Sequence, residues 1–139
     1  MIDREQKSYL VFISHSEKDR WIAKQMAALI EERGRKHSIK TFLYEKDIKG
    51  GEPIPDSIRR NIQECREFVV LLSRYSLGRA WVFIEIGAAW ALEKLIVAIT
   101  DKVTPEEMPA IIAPYKAIDL NEFDKYVEEL VNRAKGAEE

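Results

Sequence analysis

Residues 9–19 read YLVFISHSEKD. The first five are a continuous apolar run rich in β-branched and aromatic residues, the pattern of a strand buried on both faces. The next six change character at once. Ser16 with Asp19 three positions on is a helix-start signal, a capping box. Ile22, Met26, Leu29 and Ile30 then recur at helical spacing, and Gly34 supplies a C′ stop. A fully buried strand running straight into a capped amphipathic helix is the unit of a parallel sheet.

Working outward, the unit repeats. IKTFLY (39–44) predicts a second strand, and EKDIKGGEPIP (45–55) a loop marked by paired glycines and two prolines. Ile58, Ile62 and Cys65 share a face of the helix that follows. EFVVLLS (67–73) predicts a third strand, RYSLGR a loop, and LIVAIT (95–100) a fourth strand. Thr104, Pro105 and Glu107 mark a helix start that Pro109 keeps short. YKAIDL (115–120) predicts a weaker fifth strand. Asn121 is read as the cap of a last helix with Phe123, Val127, Leu130, Val131 and Ala134 inward, and KGAEE as a frayed tail. Five β-α units without repeat or linker predict a single α/β domain over 1–139, with its core at about 7–135. The fold is a doubly wound, flavodoxin-like, five-stranded parallel sheet of order 2-1-3-4-5 with helices on both faces.

Composition narrows the function. The chain has 139 residues, 46% hydrophobic and 33% charged, with a net charge of −2. That balance fits a globular domain and gives no global attraction to nucleic acid or anionic membrane. Cys65 is the only cysteine, so no intrachain disulfide forms and a reducing, cytoplasmic setting is favoured. Cys65, His15 and His37 are too far apart for a metal site by any usual spacing. MIDREQKSYL lacks the apolar run of a secretory signal, and residues 80–99 contain Glu85, Glu93 and Lys94, against a membrane span.

In a sheet of this order, ligands bind beyond the carboxyl ends of strands 1 and 3. SHSEKD and RYSLGRAW meet there. The helix leaving the second loop reads AWVFIEIGAAWAL (80–92), with Glu85 its only charge. An isolated carboxylate taken out of water costs several kcal/mol, by rough estimate, unless paired or neutralised. Trp81 lies one turn earlier on the same face. Glu85 either faces the crevice or pairs with a cation; Trp81 either lines the site or is core; Arg79 either steers phosphates or faces water. A phosphoryl-accepting receiver would need acids where Ser14-His15 and Ser73 stand. SHSEKD is not a flavin phosphate loop, and neither GxGxxG nor a P-loop occurs.

These residues resemble the prokaryotic form of the Toll/interleukin-1 receptor (TIR) domain family. YLVFISHSEKDRWIAKQM is similar to the family's first box, LYEKDIKGGEPIPDSIRRNI to its second box with the loop inside it, and VVLLSRYSLGRAWVFIEIGAAW to the third strand and the helix bearing the catalytic Glu of enzymatic members. The likeness covers about residues 7–135. It implies one of two classes, NAD⁺-cleaving enzymes or adaptors that signal by assembly. For the first, it implies Glu85 as the catalytic residue and Trp81 as a site-lining one. Ser14, His15, Ser16, Ser76 and Arg79, in the two loops at the switch point, are the further substrate-binding candidates. It also implies self-association through the 45–55 loop, with Asp47, Ile48, Gly50, Gly51 and Pro53 as assembly residues. NAD⁺ is then a substrate and no cofactor or metal is needed.

The NAD⁺-cleaving members break the nicotinamide–ribose bond, and one carboxylate could suffice for it, because the cationic nicotinamide ring departs as a neutral molecule and needs no general acid. A glycosidase of the usual kind needs two. The activity that the resemblance implies is NAD⁺ glycohydrolase or ADP-ribosyl cyclase, giving ADP-ribose or a cyclic ADP-ribose signal. A separately encoded effector would respond to it, as in bacterial antiphage defence. Two alternatives stand beside it: a non-enzymatic TIR–TIR interaction domain with 45–55 as its docking surface, and a nucleoside deoxyribosyltransferase-like enzyme, whose E-x-G-x-A run EIGAAWALEKLIVAI resembles.

Overall fold

The five apolar runs pair as strands β1 (Tyr9–Ser14), β2 (Ile39–Tyr44), β3 (Glu67–Leu72), β4 (Leu95–Thr100) and β5 (Ile118–Asp119). All neighbours are parallel, in the order β2-β1-β3-β4-β5. The structure is a computed structural model and describes residues 8–44, 55–114 and 116–138. Among the described residues four α-helices connect and cover the strands: α1 (Arg20–Arg33), α2 (Asp56–Glu64), α3 (Ala80–Ala91) and α4 (Phe123–Ala137).

Strand alternation divides the core in two. Tyr9, Val11, Ile13, Val69, Leu71, Val97 and Ile99 point to one face and pack on Ala23, Met26 and Ile30 of α1 and Tyr126, Val127 and Leu130 of α4. Leu10, Phe12, Phe68, Val70, Leu72, Ile96 and Ala98 point to the other and pack on Ile58 and Ile62 of α2 and Val82, Ile86 and Ala89 of α3. Each fully buried aliphatic or Phe side chain contributes about 1.5–3 kcal/mol relative to exposure. The two layers are why these strands read as unbroken apolar runs.

Several local expectations are corrected. The Ser16/Asp19 pair does not form a capping box onto backbone N–H groups. Ser16 Oγ instead donates to Asp19 Oδ2 (2.8 Å), and a 3-10 turn over Glu17–Asp19 leads into α1. Gly34 does end α1, but without left-handed geometry, since its φ is −94°. A Cβ there would lie 2.4 Å from Ile39 Cδ1, so the corner between α1 and β2 demands a residue without one. The fifth strand shrinks to two residues because Asp119 Oδ1 accepts from the Asn121 N–H (2.8 Å) and turns the chain. Asp119, not Asn121, is thus the cap, and it caps a 3-10 turn preceding α4. Tyr126 is fully buried, whereas Val131 packs against the core only in part. KGAEE is not frayed throughout, since α4 runs to Ala137 and His37 Nδ1 lies 3.2 Å from a Glu138 carboxylate oxygen. The expected helix at Thr104 forms its capping box but stays a 3-10 turn, as Pro109 suggested.

The amino-terminal edge of the sheet carries a buried acid the sequence did not single out. Glu67 opens β3 with no solvent exposure. It accepts from Tyr9 Oη (2.6 Å), Tyr126 Oη (2.9 Å), and Arg133 Nε (2.9 Å) and Nη2 (2.8 Å). The fork of two N–H donors from Arg133 neutralises the carboxylate and fixes its plane. Burial, reinforced by Glu67, pushes both tyrosine hydroxyls well above the usual phenol range, and the hydrogen bonds to Glu67 raise Arg133.

Candidate active site

The opposite, carboxyl edge is arranged differently. β1 ends at Ser14, and strand alternation sends Ser14 to the same side as Leu10 and Phe12, toward α2 and α3. On α3 the buried residues are Trp81, Val82, Glu85, Ile86 and Ala89, a stripe at i, i+4 spacing that aims Glu85 inward. The two meet: Ser14 Oγ donates to Glu85 Oε1 at 2.7 Å. Glu85 is 1% exposed, and among the described residues its Oε2 has no hydrogen-bond partner. No cation pairs with it there, so the salt-bridge alternative drops away among those residues. Burial pushes its carboxyl up to about 8, and the Ser14 hydrogen bond pulls the other way with less effect. Burial thus favours the protonated form of Glu85 well above the pH range of an ordinary carboxyl.

Glu85 also forms part of a cleft between α2 and α3, with Ile58, Arg59, Ile62, Trp81, Ile84, Ala88 and Leu92 as its other walls. Trp81 is buried and sits one turn before Glu85. The cleft volume is about 50 Å³.

Of the remaining candidates from the two loops, Ser16 and Ser76 are joined in one network through Asp19 and Ser73. His15 is buried, and its Nδ1 donates to the Ser16 carbonyl oxygen (2.8 Å). Asp19 Oδ2 accepts from both Ser16 Oγ and Ser73 Oγ. Ser73 Oγ accepts from the backbone N–H groups of Tyr75 (3.1 Å) and Ser76 (3.2 Å), and Ser76 Oγ accepts from Ser73 N–H (2.7 Å). Asp19 and Ser73 thus tie the loop after β1 to the loop after β3, with Ser16 and Ser76 bonded to each end of the link. Arg79, partly exposed, is the N-cap residue of α3. Asp47, Ile48, Gly50, Gly51 and Pro53 lie outside the described residues.

Sequence reasoning missed the α2 wall of the cleft and the linking role of Asp19 and Ser73. The Ile58/Ile62 pair signalled the first. Asp19 was read only as a capping residue, because its partner Ser73 is distant in the chain. Among the described residues no cluster of three His, Cys, Asp or Glu side chains is placed to hold a metal ion, and no helix is long and apolar enough to cross a membrane.

Comparison with known proteins places this geometry in context. No curated protein sequence matches the chain. Its fold is similar to the TIR domains of the activated Roq1 resistosome recognising the pathogen effector XopQ (TM-score 0.66, 19% identity, 91% of this chain and 99% of that one). It is also similar to a metazoan TIR-STING receptor from C. gigas (TM-score 0.68, 21% identity), covering 92% of this chain but 42% of the receptor. A Clostridium botulinum CMP N-glycosidase, BcmB, shares the fold more distantly (TM-score 0.54, 17% identity, 87% of this chain and 97% of that one). The TIR domain family model matches residues 11–131, and with the β2-β1-β3-β4-β5 sheet this chain belongs to the TIR domain family.

Proposed function

We propose that the protein is an NAD⁺ nucleosidase that breaks the nicotinamide–ribose bond with Glu85 as its catalytic carboxylate. The observation that carries the reading is Glu85 itself: a buried acid at the carboxyl edge of the sheet, with one oxygen held by Ser14 and the other without a partner among the described residues. As nicotinamide departs, the ribose gains oxocarbenium character. A carboxylate in an apolar surround stabilises such charge strongly because little water screens it. Glu85 Oε2 is the atom that would accept from a ribose hydroxyl and face that charge. The cationic nicotinamide ring favours ionisation of a carboxyl that otherwise rests near a pKa of about 8. Trp81 would pack on the ring or its ribose.

Water completes the reaction to ADP-ribose, or an atom of the same molecule does so to give a cyclic product. Membership of the TIR family supports a requirement for assembly, in which a second copy engaging through 45–55 would complete the site. In the cell this reading makes the chain a cytoplasmic source of a nucleotide signal, read by a separate effector in antiphage defence. A second reading, removal of the base from a nucleoside monophosphate, is favoured by the likeness to the CMP N-glycosidase.

Concentrated protein incubated with NAD⁺ or with CMP, wild type beside Glu85→Gln, separates these by product chromatography. Nicotinamide released from NAD⁺ by the wild type and lost in the variant supports the proposal, and cytosine from CMP alone supports the second reading. No turnover of either at any concentration, with crowding agents included, leaves an interaction domain and overturns both.

A further inference from the structure

We propose that Ser14 is a positioning residue for Glu85: by donating to Oε1 it confines the acid's proton, and later its working charge, to Oε2. The inference deepens the assignment of Glu85 above and rests on it for its catalytic meaning.

The argument is geometric. Ser14 belongs to β1, which is hydrogen-bonded on both sides, Ser14 standing opposite Tyr44 of β2 and Val70 of β3. Its hydroxyl is thus mounted on a central strand, the most rigid kind of support for a site. A hydroxyl has one proton to donate, and here it goes to Oε1 at 2.7 Å. While Ser14 donates to Oε1, the proton of the neutral acid sits on Oε2. In the carboxylate Oε1 stays engaged, and Oε2 is the oxygen left to accept from a ligand. Without Ser14 the two oxygens become equivalent, the side chain can turn about its last bond, and the buried charge loses its one hydrogen-bond donor among the described residues.

Ser14 is well placed to act alone in this. Charged and titratable groups on the described elements packed around α3 include Asp56, Arg59, Arg60 and Glu64 on α2, Tyr9 on β1, Glu67 on β3, His15 and Asp19 after β1, Arg79 before α3, Lys94 before β4 and Asp101 after it. None contributes to the displacement of the Glu85 carboxyl, which comes from burial opposed by Ser14. Removing the hydroxyl leaves burial unopposed.

The test is a titration of the Glu85 side-chain carboxyl by NMR on protein labelled with ¹³C-glutamate, assigned with Glu85→Gln. Ser14→Ala is expected to raise the midpoint by about one pH unit, the scale of a single hydrogen bond to a charged form, and Ser14→Thr to restore it. Should the alanine variant fail to fold, Ser14→Cys, a weak donor of similar size, is expected to move the midpoint in the same direction. A purely packing role would change unfolding free energy and leave the midpoint in place. An unmoved midpoint in a folded variant overturns the inference. In NAD⁺ turnover, the rising limb of kcat/KM against pH is expected to move with the titration. If the wild type releases no nicotinamide while the midpoint still moves, the proposed activity fails and the positioning role of Ser14 stands. If nicotinamide is released and neither midpoint nor limb moves, the reverse holds.

Discussion

Asp19, Glu67 and Glu85 are the buried acids among the described residues, and the two glutamates, at opposite ends of one sheet, are treated in opposite ways. Glu67 at the amino edge accepts four hydrogen bonds, two of them from a guanidinium. Glu85 at the carboxyl edge accepts one, from a serine hydroxyl, and no cation pairs with it among the described residues. A buried charge that is fully satisfied is compatible with stability, whereas one left nearly bare costs stability and persists only where something else selects it. The contrast separates a structural carboxylate from a functional candidate without reference to any relative. It also matches the rule that ligands meet a parallel sheet at its carboxyl ends.

The comparison can be broken at its amino end first. Glu67→Gln leaves Arg133 without its counter-charge and both tyrosines with a poorer acceptor. Because Arg133 is 36% exposed, water recovers part of the loss, and urea unfolding should show about 3 kcal/mol of destabilisation, the low end for a broken buried pair. Per folded molecule, activity should be unchanged. A loss under ~1 kcal/mol would remove Glu67 from its structural role.

Gly34→Ala probes the same edge through packing alone. Its Cβ would sit 2.4–2.7 Å from three atoms of Ile39, and overpacking of this kind costs about 1–3 kcal/mol. A neutral result would mean that the α1–β2 corner gives way easily. Thr104→Ala removes the hydroxyl of an exposed capping box and should cost ~0.5–1 kcal/mol, with no effect on Glu85. A larger loss would show that the loop after β4 supports the carboxyl edge more than its exposure suggests.

Much of this was legible in the chain. Apolar runs five to seven residues long located the sheet and its order, and a single charge on a greasy helix located Glu85. What escaped depends on partners distant in sequence. Glu67 looked like the polar start of a strand because Tyr126 and Arg133 lie 59 and 66 positions away. Tyr126 was passed over for Val131, since a hydroxyl argues for the surface until its acceptor is known. Gly34 was read from helix-stop statistics, while the steric demand comes from Ile39. The Ser14–Glu85 contact was within reach, because alternation through Leu10 and Phe12 already sends Ser14 toward the α2/α3 side. The notion of serine as a substrate contact obscured that.

The central claim, that Glu85 is kept in place against stability, has a direct test that needs no substrate. Between about 4.5 and about 8 the native state holds a proton on Glu85 that the unfolded chain has released. Native stability should therefore fall as pH rises through that window. Glu85→Gln cannot ionise and should not show this component of the fall. The unfolding free energy of wild type and Glu85→Gln, measured at pH 5 and pH 9, is predicted to be similar at the first. At the second it should favour the variant by a few kcal/mol, an order-of-magnitude figure. A variant that is less stable than the wild type at pH 9 would contradict the account, because Glu85 would then be a structural acid like Glu67.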